Sequence, residues 1–311
     1  MQPSFIVAAV AITLGSLPAE AAMKKRVSFP STEQTLVGDL YLPDSYRDGD
    51  RLPGVVVTGA WMTVKEQMAG TYAANLADRG YAALAFDFRG WGQSSDPIPY
   101  LENPARKTDD IVAAVDFLLT RSEVDSEQIS GLGVCASAGY MSDAALRHPA
   151  IKRLALVAPW LHDAEIVKSV YGGDDGVAVL LDAAQRAAAT AVPTILEAAS
   201  LTNEDAVMFQ APYYTEPDRG LIPEFDNKFN VASWTGWLTY DAIKTADQQS
   251  KPTLLVHSDA AAIPQGAREY ARRLGHYATT VWLDDISQFD FYDRPDVVDA
   301  AVTAVVAHFE R

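Results

Sequence analysis

The chain has 311 residues, 49% hydrophobic and 21% charged, which excludes a disordered or low-complexity protein and provides for a buried core. Its 41 acidic and 25 basic side chains leave a formal charge of −16, a balance that repels phosphate backbones and argues against nucleic acid as a partner. One cysteine, Cys135, excludes an internal disulfide and a thiolate cluster, and the five histidines are scattered rather than set at ligand spacing, so the pattern calls for neither metal nor cofactor.

Residues 5–17 form an apolar run of signal-peptide length. Ala19-Glu20-Ala21, a small-x-small cleavage pattern, follows it, and then Lys24-Lys25-Arg26. This predicts a signal peptide over 1–21, a secreted or periplasmic mature chain and a charged, solvated start to it. Read instead as an N-terminal helix, the same run leaves a cytoplasmic enzyme. No other segment is long and apolar enough to span a bilayer.

Strands then alternate with helices. Residues 36–42 alternate and stop at Pro43, as a strand does. The β-branched run at 54–59 suits a strand buried on both faces. A helix is predicted over 65–79, a strand over 81–88, a helix over 107–121, a strand over 129–134, a helix to His148 and a strand over 153–158. After a break come a strand at 252–257, a helix at 264–274, a strand at 279–283 and a closing helix at 295–309. Such alternation implies a mainly parallel sheet with helices on both faces, and sites on such sheets lie beyond the strands' carboxyl ends. The break is the segment 161–250, with Ala-rich helical pieces at 177–191 and 193–201 and an aromatic, proline-punctuated stretch at 209–240. It reads as a helical lid inserted between the sixth and seventh strands of a core formed by 22–160 and 251–311.

Gly133-Val134-Cys135-Ala136-Ser137 follows one of these strands and opens a helix. A nucleophile on a sharp strand-to-helix turn needs small residues two places before and after it, and Gly133 and Ser137 flank Cys135 at that spacing. The turn predicts an upward-facing sulfur, an Ala136 amide aimed at substrate and a thiol pKa lowered by the helix N-terminus. Ser137 has the same flanking pattern but falls inside the helix, and the alternative for Cys135 is a small buried core residue.

With this elbow, two further segments give the chain its resemblance to the α/β hydrolases. Asp87-Phe88-Arg89-Gly90-Trp91-Gly92-Gln93-Ser94 resembles the family's D-x-R-G-x-G-x-S turn. Thr58-Gly59-Ala60-Trp61 occupies the place of its oxyanion loop. The Cys elbow, Lys65-Glu66 and Phe289-Asp290-Phe291-Tyr292-Asp293 resemble the subgroup of dienelactone hydrolases and fungal polyketide transferases. The resemblance implies an eight-stranded-type sheet and acyl chemistry on a small-molecule ester, lactone or thioester, by hydrolysis or transfer, with amides of Ala136 and of Ala60 or Trp61 holding the oxyanion.

Two loops depart from the family. Gln288 stands where the family has its histidine, and glutamine cannot accept and return a proton near neutral pH. The acid loop, 257–264, is shortened, with Asp259 its nearest carboxylate. His162, beside Asp163 just past the sixth strand, is the expected replacement base, ahead of His257 at its strand end. A thiol depends less on a base than a hydroxyl does, so a Cys elbow survives this change better than a Ser elbow. The other class of function is a hydrolase fold that binds an apolar ligand under its lid without turnover, which Gln288 favours.

Overall fold

A computed structural model describes residues 22–311, so the expected signal peptide at 1–21 lies outside the described residues. Eight strands form one sheet. The first six are β1 (Met23–Ser31), β2 (Gln34–Leu42), β3 (Leu52–Thr58), β4 (Ala82–Phe86), β5 (Val124–Val134) and β6 (Ile151–Val157). The strands Thr253–His257 and Ala278–Trp282 complete it. The order is β1-β2-β4-β3-β5-β6, then those two. β2 runs antiparallel to both its neighbours, and every other pairing is parallel. Val55, Val56 and Val57 of β3 are all fully buried, as a strand covered on both faces requires.

Several helices begin where the sequence has start signals. α1 is Met68–Ala77, α2 is Pro104–Leu119 and α3 is Ser137–Arg147. Asn103 caps α2, its side chain accepting from the Arg106 amide at 3.1 Å, with Pro104 in the first turn. Pro264–Leu274 and Pro295–Phe309 also start on proline. Among the described residues no helix is long and apolar enough to cross a membrane.

Lys24, Lys25 and Arg26 have solvent-exposed side chains as expected, and they belong to the edge strand β1, where Arg26 meets the buried Asp39 at 2.5 Å and Lys25 reaches Glu123 at 3.5 Å. One expectation is corrected. The stretch 193–201 is not helical. It holds the strands Ile195–Glu197 and Ala199–Ser200, the first paired antiparallel with Lys228–Asn230. Partners distant in sequence override local alanine content there.

The family-like turn after β4 is a hub of buried charge. Asp87 accepts from the Lys65 amide and the Lys65 ammonium, both at 2.8 Å, and from the Gln93 amide at 3.0 Å. A Cβ on Gly92, at φ 51°, would stand 2.5 Å from the Asp87 carboxylate, so only glycine fits there. Arg89 meets Asp110 and Ser31 on the other side of the turn. These bonds fix the loops after β3 and β4, which frame the carboxyl end of the sheet.

Candidate active site

β5 ends at Val134, α3 begins at Ser137, and Cys135 occupies the turn at φ 58°. A non-glycine residue in that region carries strain of roughly 1–3 kcal/mol and persists only where its surroundings impose it. They do so here. The Cys135 amide donates to the Val157 carbonyl at 3.0 Å, and the Cys135 carbonyl accepts from Trp160 at 3.0 Å and Ala138 at 3.1 Å. Gly133 permits the close return of the chain, since a Cβ there would stand 2.8 Å from the Ala138 Cα.

Burial pushes the Cys135 thiol above its ordinary pKa. The groups that oppose this are the Tyr292 hydroxyl, the Ala136 and Trp61 amides and the Gln288 side chain. The helix N-terminus therefore does not leave the thiol lowered as expected, because desolvation of the thiolate outweighs the donors around it. The Tyr292 phenol is itself raised well above the ordinary range by burial. It is a neutral donor and not a base near pH 7.

Gln288 is fixed by three hydrogen bonds. Its Nε2 donates to the Ala158 carbonyl at 2.9 Å and to the Tyr292 hydroxyl at 3.0 Å, and its Oε1 accepts from the Ala262 amide at 3.1 Å. The site thus assembles Cys135, Ala136, Trp61, Gln288 and Tyr292.

The other expected site residues lie elsewhere. The Ala60 amide faces the Met68 sulfur at 3.4 Å, which leaves Trp61 as the amide from that loop. Ser137 is fully buried and donates to the Val134 carbonyl at 3.0 Å. Asp259 is exposed and pairs with Arg268 at 2.6 and 2.8 Å, so it is not an acid for this site. His162 does not act as the base by this geometry. Its Nδ1 accepts from the Trp160 indole at 3.0 Å and its Nε2 faces the Trp237 carbonyl at 3.1 Å. Burial lowers its pKa to about 4, so the ring stays neutral. His257 is fully buried with no partner on either ring nitrogen, and its pKa is also lowered to about 4 by burial.

A cavity of about 620 Å³ opens over Cys135. Trp61, Trp160, Tyr171, Tyr214, Trp234 and Trp237 give its wall an aromatic character, and Trp61 stacks on Trp237 with ring centroids 4.8 Å apart. Among the described residues no histidine and no charged side chain lines it. Much of the wall, from Val170 to Trp237, comes from the segment inserted after β6. Sequence reasoning missed Tyr292 as a site residue. Gln288 lies in the turn before the short helix Asp290–Asp293 that carries Tyr292, so no helical spacing links the two in the sequence.

The comparisons with known proteins agree with this architecture. Residues 55–284 match the family model described as serine aminopeptidase, S33. An uncharacterized protein of Escherichia coli (strain K12), YcjY, is 26% identical over 306 residues, covering 93% of this chain and 99% of that one. The acyltransferase drtE of Aspergillus calidoustus is 34% identical over 119 residues, 38% of each chain. The crystal structure of hypothetical protein PA2218 from Pseudomonas aeruginosa superposes with a TM-score of 0.82 at 25% identity, covering 98% of this chain and all of that one.

Proposed function

The chain belongs to the serine aminopeptidase S33 family and is an α/β hydrolase, and from that premise we propose that it is a cysteine acyl hydrolase or acyltransferase acting on uncharged, aromatic or other bulky apolar acyl groups. The observation that carries the reading is Cys135 at φ 58° under the aromatic cavity, with the Trp61 and Ala136 amides among the groups that favour its thiolate. In this reading the thiolate attacks the acyl carbonyl and a carbon–sulfur bond forms. The carbonyl oxygen, now negative, accepts from the two amides, each contributing roughly 3–4 kcal/mol to barrier lowering. The carbon–oxygen or carbon–sulfur bond to the leaving group breaks, and that group takes a proton. Water or another nucleophile then receives the acyl group.

No cavity residue takes the thiol proton near neutral pH, so the thiolate arises by proton loss to solvent. Tyr292 and Gln288 support it as donors. A chargeless wall favours neutral acyl groups, because an ion would lose its hydration without gaining a counter-charge.

The test is incubation with the p-nitrophenyl ester of a neutral aromatic acid. Intact mass should show an acyl adduct that the Cys135→Ala variant lacks. Continued p-nitrophenol release beyond one equivalent marks turnover. A single equivalent marks the second reading, a site that captures its ligand and holds it, which the firmly hydrogen-bonded Gln288 in the histidine position favours. Absence of any adduct at Cys135 sinks the nucleophile assignment.

A further inference from the structure

We infer that Glu102 is a positioning residue that aims the Trp61 amide at the reacting carbonyl, by clamping the loop after β3 to the elbow helix and to the inserted segment. The inference rests on the reading of Trp61 as an oxyanion donor.

The loop after β3 turns through Met62 at φ 62°, a left-handed position held by contacts and not by glycine. The Met62 amide donates to Glu102 Oε2 at 3.2 Å. On the other side of Trp61, the Ala60 amide meets Met68 sulfur, and the Ala60 carbonyl accepts from the Thr63 hydroxyl at 2.7 Å. The Trp61 amide is therefore bracketed, and Glu102 is the anchor from outside the loop whose bond falls next to it in sequence, at Met62, the Asp87 bond to the Lys65 amide being four residues on.

Glu102 is itself fully buried and fully engaged. Oε2 also accepts from the Lys107 ammonium at 2.7 Å, and Oε1 accepts from the Tyr140 hydroxyl at 2.8 Å. Its backbone N–H donates to the Ser233 hydroxyl, in the inserted segment, at 2.9 Å. Tyr140 lies on α3 five residues after Cys135, so one carboxylate ties the nucleophile's helix to the oxyanion loop. Lys107 lies 4.5 Å from the Phe88 ring centroid and 5.1 Å from that of Trp91. A buried ion pair of this kind is a poor source of stability, because desolvation consumes most of the Coulombic gain. What it supplies is directional: three donors from three elements converge on a group that cannot turn.

The test separates orientation of the oxyanion donor from general damage. Two rates are measured at one pH on each variant: acylation of Cys135 by a p-nitrophenyl ester, which develops an oxyanion, and alkylation by iodoacetamide, a displacement at carbon that develops none. Both use the thiolate, so a changed thiol pKa cancels in their ratio. Glu102→Leu combined with Lys107→Met removes the acceptor and the ion pair together. It should lower the acylation-to-alkylation ratio at least tenfold, as expected for a misaimed donor. Glu102→Gln combined with Lys107→Met returns a carbonyl oxygen toward Met62 and should recover most of the ratio. Tyr140→Phe loosens the carboxylate without burying an unpaired charge; it should lower the ratio about threefold, and it serves if the first variant does not fold. An unchanged ratio in the folded variants overturns the inference, as does an equal fall in both rates. Alkylation without acylation in the parent protein overturns the nucleophile reading and this inference with it.

Discussion

At the scale of single residues, the site is a thiol surrounded by donors and without a base. Tyr292 is the donor whose removal is most informative. Its hydroxyl accepts from Gln288 Nε2 and opposes the effect of burial on the thiol. Tyr292→Phe should raise the thiol pKa further. At fixed pH near 8 the iodoacetamide rate should fall about threefold or more, while the rate at high pH, where both proteins are ionised, converges. A pH–rate profile of alkylation checks this, and coincident profiles contradict it. Gln288→His is the converse experiment. A histidine there would face the Ala158 carbonyl and the Tyr292 hydroxyl and add a group able to take the thiol proton. Release of p-nitrophenol at pH 7 should rise about tenfold or more, short of the roughly 10²–10⁴-fold of an optimally placed general base; no rise means the ring is held away from the sulfur. Cys135 and Gln288 were legible in the sequence because loop position reveals them. Asp259 misled because its identity suggested an acid, whereas its partner, Arg268, lies nine residues on and draws it to the surface. His162 misled because sequence places it next to the site but says nothing of which partners its ring nitrogens have.

At the scale of elements, the elbow depends on β5 and α3 approaching closely at Gly133. A methyl group there meets α3 backbone at 2.8 Å, which no side-chain motion relieves. Gly133→Ala should destabilise the protein by roughly 1–3 kcal/mol, the cost of overpacking a filled site. Acylation of Cys135 should fall by more than stability alone accounts for, because the turn that sets φ 58° is displaced. Chemical denaturation with adduct mass spectrometry on the folded fraction reads both. The strands and helices of the core were legible because buried parallel strands carry unbroken apolar runs and helices start at Pro264 and Pro295, whereas α2 starts at Pro104, three residues before the expected 107. β1 was not, since its sequence, Met-Lys-Lys-Arg-Val-Ser-Phe-Pro-Ser, is polar at one end and, at the sheet edge, pairs with β2 alone. The stretch 193–201 was not legible for a related reason: its partner strand lies some thirty residues away.

At the scale of the whole molecule, burial of neutral histidines ties folding to pH. His162 is held at a pKa of about 4 by burial, against 6.5 for the free ring, even with Asp163 and Asp241 favouring its charge. The folded state thus binds the proton less readily than the unfolded chain. Stability from this ring is complete above pH 6.5 and is lost as pH falls toward 4. By pH 4.5 the loss amounts to about 2 kcal/mol, from a shift of this size at 1.36 kcal/mol per unit. His257, also near 4, acts in the same direction. Asp143 acts oppositely: burial raises its carboxyl to about 6 despite the hydrogen bond from Tyr240, so its contribution improves as pH falls from 6 toward 4. The parent's melting curve sums these effects, and a variant isolates one of them. His162→Gln offers a donor to the Trp237 carbonyl and an acceptor to the Trp160 indole but does not titrate. At pH 7 it should be the less stable protein, because an amide fills the ring's place imperfectly. Between pH 7 and 4.5 the gap should close by about 2 kcal/mol, since the parent alone must expel or bury a proton there. Urea denaturation of both proteins at the two pH values measures the gap directly. A gap that does not change with pH means His162 is not held neutral in the folded protein, and it would return the ring to contention as a proton carrier near the aromatic wall formed by Trp160 and Trp237.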